Sequence, residues 1–320
     1  MRSHPARETV GEAESSRAVD GVLVVDKPAG PTSHDVVDRV RRALLTRRVG
    51  HTGTLDPFAT GVLPLCVGRA TRLARFLAGG EKEYLATVRL GFATTTDDVT
   101  GEPTGAPVRV DVTPERLAAA LAGLVGTFDQ IPPAFSAKHA GGRRLYELAR
   151  RGETVPRAAA SVTVHGIDLL ARTSDSVEIA VRCSAGTYVR ALARDLGERL
   201  ETGAHLTSLR RIRSGAFSLS QAVSGDDLAG ASGRMIPLPE LLLDLPAVRV
   251  AAPGRRLVGH GRELGRGDVV LGFPEGPVER VRILDESGAL IALAVTRGLD
   301  PGPSPLPRVP ALHPDVVLVD

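Results

Sequence analysis

One carboxylate in a tightly shaped loop is the first residue of this chain whose surroundings suggest chemistry. In the stretch GHTGTLDPFATGVLP, from Gly50 to Pro64, Asp56 is the only Asp, Glu, Lys or Arg. An Asp before a Pro in a glycine-containing loop is common in ordinary turns. The same residue type serves elsewhere as a metal ligand, a general base or a nucleophile. The loop alone leaves these four interpretations open.

Several of these chemistries need companion residues that the sequence lacks. His51, Asp56, Asp97 and Asp98 would supply metal ligands, but there is no HExxH motif, no His pair at helical spacing and no cluster of Cys ligands. No glycine-rich P-loop ends in Lys-Ser or Lys-Thr, and no GxSxG elbow is present. A carboxylate that acts without a metal remains, either as nucleophile or as acid/base. Burial raises the pKa of such a group, and an arginine such as Arg190 would restore its charged form.

Histidine and tyrosine residues near these segments have both a structural and a functional interpretation. A lone histidine such as His51 is most often a hydrogen-bonded structural residue. The chain has no Trp and only three Tyr, at positions 84, 146 and 188. Tyrosines usually pack in cores, but beside arginines they also form platforms on which a base stacks.

Basic residues are unevenly distributed. Lys occurs only at positions 27, 82 and 138, so nearly all of the 40 basic residues are Arg. The segment from Arg39 to Arg75 holds eight Arg against one acid, Asp56. Two further clusters are Arg143, Arg144, Arg150 and Arg151, and Arg210, Arg211 and Arg213. Three basic stretches on a chain of net charge +3 indicate a face that binds a polyanion.

The elements that must position these residues can be predicted from apolar spacing. A strand over 21–25 leads to a helix capped at Thr32 or Ser33 that runs to about Leu45. The segment ATRLARFLAG predicts a short amphipathic helix, and alternation predicts strands over 84–90 and 177–183. A helix with Val189, Leu192, Leu196 and Leu200 on its buried side follows, so Arg190 lies in its first turn, beside a strand end. Such positions commonly carry functional groups.

Composition sets the broader frame. With 42% hydrophobic residues over 320 positions, the chain can bury a normal core. Its apolar runs are too short for membrane spans. The N-terminal segment is polar, mixed in charge and without the apolar core of a signal peptide, and residues 1–19 are predicted to be a disordered tail. Two cysteines fit a reducing cytoplasm. From about residue 247, short apolar runs between Gly/Pro turns predict a small all-β module.

Several long segments together carry a family resemblance. They are GVLVVDKPAGPTSHDVV, GHTGTLDPFATGVLPLCVGRATR, KEYLATVRLG, RRLYELARRGETVPR and CSAGTYVRALARDLGERLETGAHLTSLRR. In order and spacing, over about Gly21 to Phe217, they resemble the bacterial TruB-type tRNA pseudouridine-55 synthases. The resemblance implies an α+β fold with a central mixed, largely antiparallel sheet in residues 20–245. It also implies a β-rich PUA-like RNA-binding domain over 246–320.

The resemblance also implies roles for the residues named above. Asp56 would be the nucleophile that starts the isomerisation of uridine 55 in the T-loop of tRNA, without metal or cofactor. Arg190 would pair with Asp56, and Tyr84 would stack on the flipped uracil and assist proton removal. His51 would fill the space that the base vacates, and Tyr188 and Leu209 would line the uracil pocket. Whether the carboxylate attacks uracil C6 or ribose C1′, or supports a glycal route, stays open.

The expected partner is the T-arm stem-loop of tRNA, bound by a cytoplasmic monomer that needs no obligate protein partner. In one place the chain departs from the family pattern, because many relatives carry Lys where this chain has His139, so no role is assigned to Lys138. Three alternatives remain: an RNA-folding factor with a vestigial Asp56, a metal-dependent phosphoesterase built on His51, Asp56, Asp97 and Asp98, and a synthase for another RNA position.

Overall fold

A computed structural model describes residues 20–133, 139–140, 143–144, 158–276, 278–297 and 311–319. The predicted disordered tail, residues 1–19, lies outside the described residues, as do Lys138, Tyr146, Arg150 and Arg151. In the part of the chain that is described, no helix is long and apolar enough to cross a membrane.

Strands supply most of the regular structure. They are β1 (Gly21–Lys27), β2 (Val49–His51), β3 (Thr60–Val67), β4 (Lys82–Leu90), β5 (Gly126–Gln130), β6 (His139–Ala140), β7 (Arg143–Arg144), β8 (Ala160–Arg172), β9 (Ser176–Cys183), β10 (Ala204–Ser214), β11 (Phe217–Ser218), β12 (Val223–Ser224), β13 (Ile236–Pro237), β14 (Ala247–Val250), β15 (Leu264–Gly265), β16 (Val269–Leu271), β17 (Val281–Leu284), β18 (Leu290–Arg297) and β19 (Ala311–Val317). The α-helices are α1 (Ser33–Ala43), α2 (Ala74–Ala78), α3 (Pro114–Ala122), α4 (Val189–Leu200) and α5 (Ala252–Gly259).

The large sheet has eleven strands, with the main order β12-β1-β3-β10-β4-β9-β8-β5. Its β12–β1 and β3–β10 pairs are parallel, and the other neighbours on this path are antiparallel. This is the mixed, largely antiparallel sheet that was predicted, so the α+β fold class is confirmed. The parallel β3–β10 pair places the two halves of the chain side by side at the centre of the sheet.

Local sequence signals explain the elements nearest the site. Thr32 caps α1 by accepting a hydrogen bond from the Asp35 amide, and the Asp35 side chain accepts one from the Thr32 amide in return. The helix ends at Ala43, slightly before the predicted end, because Leu45 adopts a left-handed backbone conformation. The alternation in β4 and β9 and the buried stripe of α4 are confirmed.

The predicted amphipathic helix around residues 70–79 is only partly correct. A 3₁₀ helix over Gly68–Leu73 precedes α2, which has only five residues. Neither segment has a side-chain N-cap. The single predicted helix is therefore divided into two short segments.

A second sheet follows the first, with the order β15-β19-β18-β17-β14-β16, and α5 packs beside it. The small all-β module predicted from about residue 247 is therefore observed, with one helix added. Its strands share a buried apolar cluster with β1 and β3 of the large sheet, in which Leu293 and Leu318 pack with Val22 and Val62.

Arginines of the predicted polyanion-binding run reinforce this contact. Arg69 and Arg72 donate hydrogen bonds to the carbonyls of Leu318 and Val317, and Arg75 forms an ion pair with Asp315. In the third basic cluster, Arg210 pairs with Asp26, Arg213 pairs with Glu83, and Arg211 is buried. These six residues therefore make contacts within the chain, and the polyanion-binding face that the three basic stretches predict stays a prediction.

Candidate active site

The loop that carries Asp56 has no regular secondary structure, yet buried donors hold its backbone. Arg211, which is 2% exposed, donates from Nη2 to the Gly53 carbonyl at 3.0 Å and from Nη1 to the Thr54 carbonyl at 3.4 Å. The Ser33 hydroxyl donates to the Leu55 carbonyl at 3.0 Å and accepts from the Leu55 amide at 2.8 Å. Since an unpaired buried carbonyl is costly, these contacts determine the path of the loop into Asp56.

Lys27 holds the backbone of the loop on the C-terminal side of Asp56. Its side chain is fully buried at the end of β1, and its ammonium donates to the carbonyls of Pro57 at 3.1 Å and Ala59 at 2.7 Å. A third donor reaches the Pro28 carbonyl at 2.9 Å. Burial lowers the pKa of Lys27 to about 8, and the nearby carboxylate of Asp56 opposes that shift.

Gly61 permits the close approach on which this arrangement depends. It pairs with Arg211 in the parallel β3–β10 ladder and has a φ of 102°. A Cβ at this position would collide with the Arg211 backbone carbonyl. A glycine is therefore required to bring Arg211 beneath the Asp56 loop.

Asp56 forms a two-point ion pair with Arg190. The guanidinium places Nε 2.9 Å from one carboxylate oxygen and Nη2 3.1 Å from the other. The Arg190 side chain is only 4% exposed, whereas that of Asp56 is 31% exposed. Arg190 thus holds the carboxylate on its buried side. The other side of the carboxylate stays exposed, which a group that must reach a substrate requires.

A second carboxylate holds Arg190 in turn. Arg190 Nη1 lies 3.3 Å from Asp98 Oδ2 and donates to the Thr96 carbonyl at 2.9 Å. The other oxygen of Asp98 accepts from the Thr96 hydroxyl at 2.7 Å and from the Thr100 amide at 2.9 Å. The polar loop after β4 is therefore part of the site, and the sequence had suggested Asp98 only as a metal ligand.

The protonation of Asp56 depends on effects that shift its pKa in opposite directions. Burial raises its pKa above that of an ordinary aspartate, the Arg190 charge lowers it, and the neighbouring Asp98 raises it again. Burial is the largest of these effects, so the pKa of Asp56 is raised overall. The carboxylate consequently takes up a proton at a higher pH than an exposed aspartate does.

Asp56 opens into a cavity of about 280 Å³. The structure brings five of the six predicted site residues into its lining: Asp56, Tyr84, Tyr188, Arg190 and Leu209. The rest of the lining comes from the Asp56 loop, the end of α2, the turn before α4, Lys82 and Arg211. These residues come from four separate stretches of chain that meet at the centre of the large sheet.

His51 lies apart from the cavity lining, at the end of β2 and one residue before the lining residue Thr52. Its Nδ1 is buried and has no hydrogen-bond partner among the described residues. Burial, followed by the charge of Arg211, lowers the pKa of His51. The imidazole is therefore neutral at neutral pH, and it lies next to the cavity lining rather than within it.

The two cavity tyrosines are held differently. Tyr84 is buried and paired with Arg211 in the β4–β10 ladder, and burial raises its pKa. Tyr188 precedes α4, and Gln130 holds its backbone by accepting from the Tyr188 amide at 2.8 Å and donating to the Tyr188 carbonyl at 3.1 Å. Tyr84 is therefore positioned by its place in the sheet and Tyr188 by contacts to its main chain.

Sequence reasoning missed Lys27, Lys82 and Arg211 as site residues. A signal was available, because lysine occurs three times in a chain that otherwise uses arginine. Both lysines that the structure describes, Lys27 and Lys82, are buried around the site. Lysine at these positions fits because a compact ammonium donates from a single atom to carbonyls that converge on it, whereas a guanidinium spreads its donors over a planar fork.

The residues suggested for a metal site have other partners. Asp98 pairs with Arg190, and Asp97 pairs with Arg194 at 3.2 Å. Within the described ranges, no group of three or more His, Cys, Asp or Glu side chains is placed to hold a metal ion. The arrangement is that of a carboxylate oriented by arginine beside aromatic side chains.

Comparisons with known proteins agree with this geometry. Residues 41–189 match the TruB family pseudouridylate synthase N-terminal domain, and residues 190–244 match the tRNA pseudouridylate synthase B C-terminal domain. Proteins named tRNA pseudouridine synthase B are similar over most of the chain. The protein from Mycobacterium ulcerans is 48% identical, covering 76% of this chain and 83% of the relative. That from Solibacter usitatus is 41% identical, covering 94% and 100%.

Solved structures are similar as well. A chain in an H/ACA RNP bound to a substrate RNA containing 2'-deoxyuridine has a TM-score of 0.70 and 25% identity, covering 95% of this chain and 86% of its own. A chain in a Cbf5-Nop10-Gar1 complex has the same TM-score and 27% identity, covering 94% and 86%. Together with the arginine-held carboxylate in its aromatic cavity, these similarities show that the chain belongs to the TruB family of pseudouridylate synthases.

Proposed function

We propose that this protein converts uridine 55 in the T-loop of tRNA to pseudouridine, with Asp56 as the nucleophile and without metal or cofactor. The observation that carries the proposal is the two-point Asp56–Arg190 pair, whose carboxylate faces the cavity. The relatives named tRNA pseudouridine synthase B support the choice of tRNA as substrate.

The reaction exchanges one bond of the base for another. Uridine is joined to ribose through N1 and pseudouridine through C5, so the base must detach, turn and reattach. A carboxylate can begin this by attacking uracil C6 or ribose C1′, or it can assist a glycal route that removes the C2′ proton. Each route needs Asp56 ionised, and Arg190 favours that state despite the burial of the carboxylate.

The target uridine must leave the stack to reach Asp56. Tyr84 stacks on the extruded uracil and assists proton removal, while Tyr188 and Leu209 form part of the cavity wall. His51 fills the space that the base vacates in the RNA. Its neutral ring and its position next to the lining residue Thr52 suit an insertion between bases rather than an ion pair with phosphate.

The remaining parts of the chain bind the RNA. Arg42, Arg47 and Arg48 are exposed at and after the end of α1 and suit contacts with the phosphate backbone of the T-arm. Residues 20–245, which include the large sheet, form the catalytic domain, and residues 246–320 form a PUA-like RNA-binding domain. The protein acts as a cytoplasmic monomer without an obligate protein partner.

A single-turnover assay on a T-arm stem-loop tests this function. Wild type and Asp56→Asn are compared in the presence of EDTA, and RNA binding is measured in parallel. Wild type is expected to form pseudouridine, whereas Asp56→Asn binds the RNA and forms none. Asp195→Asn is the matched control, because Asp195 also pairs with an arginine on α4 but does not line the cavity.

Each alternative gives a different result in that assay. Product from Asp56→Asn at the wild-type rate would refute the role of the carboxylate. Tight binding without product from wild type would indicate an RNA-folding factor or a synthase for another position, and full-length tRNA would then be the next substrate. Loss of wild-type product in EDTA would indicate a metal-dependent enzyme.

A further inference from the structure

The charges around the cavity do not cancel. Apart from the two tyrosines, four side chains in its lining are an acid or a base that can carry charge: Asp56, Lys82, Arg190 and Arg211. Asp56 and Arg190 pair with each other, and Asp98 adds a second carboxylate to Arg190 from outside the lining. Neither Lys82 nor Arg211 lies within 4.0 Å of a carboxylate in the part of the chain that the structure describes. The cavity thus has two cations without anionic partners.

Lys82 is held by neutral groups. It is 5% exposed, and its ammonium donates to the carbonyls of Ala78 at 3.1 Å and Gly80 at 2.8 Å. An ammonium has three donors, so one remains for a group that enters the cavity. In the β4–β9 ladder, Lys82 lies opposite Cys183, whose thiol is buried and whose pKa is raised by burial to about 11.

Lys82 and Arg211 are both neighbours of Tyr84 in the sheet. Lys82 and Tyr84 are on the same face of β4, since they are two residues apart in an alternating strand. Arg211 is paired with Tyr84 in the β4–β10 ladder. A uracil stacked on Tyr84 would therefore lie near both cations.

The proposed reaction creates negative charge at that place. When the C1′–N1 bond breaks, its electron pair stays on uracil, and the anionic charge is shared by N1 and the two carbonyl oxygens. C1′ is satisfied either by a bond to the Asp56 carboxylate or by loss of the C2′ proton. When C5 bonds to C1′, the carboxylate leaves or the C2′ proton returns. C5 then loses its proton and N1 gains one, which restores a neutral base.

We infer that Lys82, together with Arg211, stabilises the uracil anion while the base is detached from ribose. The inference rests on the proposed function and deepens it, because the base leaves ribose as an anion in both the C1′ route and the glycal route. Fixed cations in a dry cavity act strongly on charge that develops during the reaction, since they need no reorganisation. Arg211 also shapes the Asp56 loop, so Lys82 is the residue on which the inference can be tested alone.

The burial of Lys82 limits the pH range in which it can stabilise the anion. The pKa of Lys82 is lowered to about 8, first by burial and then by Arg211, and Cys183 opposes the shift. Tyr84 and Cys183, on β4 and β9, are the other titratable groups beside it, and the pKa of each is raised. Lys82 therefore carries its charge below about pH 8 and loses it first among these groups as the pH rises.

The test varies the stability of the anion. Single-turnover cleavage of the C1′–N1 bond is measured on T-arm stem-loops with uridine or 5-fluorouridine at the target, because fluorine stabilises the anion of the base. Lys82→Met is expected to slow the uridine reaction by about 10²-fold and the 5-fluorouridine reaction much less. Lys27→Met is the matched control, because Lys27 is equally buried and bound to carbonyls but does not line the cavity. It should slow both substrates by the same factor.

Equal losses on both substrates for Lys82→Met would overturn the inference and leave the proposed function intact. If wild type leaves uridine unchanged, the proposed function itself fails and the inference with it. Lys82→Arg covers the case in which Lys82→Met does not fold. Because Lys27, whose pKa is also about 8, titrates in both proteins, the wild-type rate should fall more steeply above about pH 8 than that of Lys82→Arg. Identical profiles would again overturn the inference.

Discussion

The two faces of strands β1 and β3 support different parts of the molecule. Side chains alternate between the two faces of a strand. Leu23 and Leu63 therefore face the apolar cluster that contains Tyr84 and the buried residues of α1 and α4. Val22 and Val62 face the C-terminal sheet. Both contacts use cations that donate to backbone carbonyls, and these cations are buried on the site face but more exposed at the C-terminal contact. On the site face these donors surround a cavity, whereas on the other face they add to a continuous apolar cluster.

The difference follows from what each face must hold. The C-terminal contact joins regular strands whose backbone groups are already paired, so apolar packing supplies most of its stability. The Asp56 loop is irregular, and its carbonyls need donors from elsewhere in the chain. Polar groups therefore stabilise the site face, and substitutions there should affect stability and activity together. Substitutions on the other face should affect stability alone.

Arg190→Met is the substitution with the largest expected effect. It leaves Asp56 and Asp98 without their shared cation, so unfolding should become easier by about 3–5 kcal/mol, as when one partner of a buried ion pair is removed. The single-turnover rate should fall by about 10³-fold. The pKa of Asp56 should rise further, so residual activity should disappear at a higher pH than in wild type as the solution is acidified.

Urea unfolding and a pH–rate profile check this prediction. Adding Asp98→Asn to Arg190→Met removes one of the two stranded carboxylates, so it should restore part of the stability without restoring the rate. An Arg190→Met protein as stable as wild type would contradict the view that polar contacts hold the site face together.

Lys27 makes the stability of the site face depend on pH. Its pKa is lowered to about 8 in the folded chain from 10.5, so between these values the unfolded chain binds more protons. The free energy of unfolding should therefore rise with pH across this window, by up to about 3 kcal/mol from this group. Below pH 8 the buried ammonium is charged in both states, and the contribution of this residue is constant.

The measurement is urea unfolding at several pH values for wild type and Lys27→Met. The rise assigned to Lys27 is the difference between the two curves, which removes the contributions of other groups. Parallel curves from pH 8 to 10.5 would show that Lys27 titrates normally and that the loop carbonyls do not bury it.

Asp315→Asn tests the opposite face and should have the smallest effect. Asp315 pairs with Arg280 at 2.7 Å and Arg75 at 3.5 Å, and both guanidinium groups lie 4.6 Å from the centre of the Phe76 ring. Loss of this partly exposed network should cost about 1 kcal/mol of stability. The single-turnover rate at saturating RNA should match wild type, and a rate reduced in proportion to stability would refute the separation of the two faces.

Sequence patterns predicted the elements that carry the site better than the contacts inside it. The alternation of β4 and β9 and the buried stripe of α4 were predicted correctly, because they follow from the fixed periods of strand and helix. The basic run between Arg39 and Arg75 did not predict the contacts that part of it makes within the chain. Charge density along a chain does not reveal that Arg69 and Arg72 will meet the carbonyls of the last strand.

The sequence by itself determined the periodic elements, the Asp56 loop and, through its motifs, the family. Only the tertiary structure decided which donors hold that loop. Lys27 binds a carbonyl 32 residues away and Arg211 binds one 158 residues away, while Asp98 reaches Arg190 from a different loop. No local period relates such pairs, because a donor and a carbonyl attract at any separation along the chain. Their meeting depends on the strand order that places β1, β3, β10 and β4 side by side.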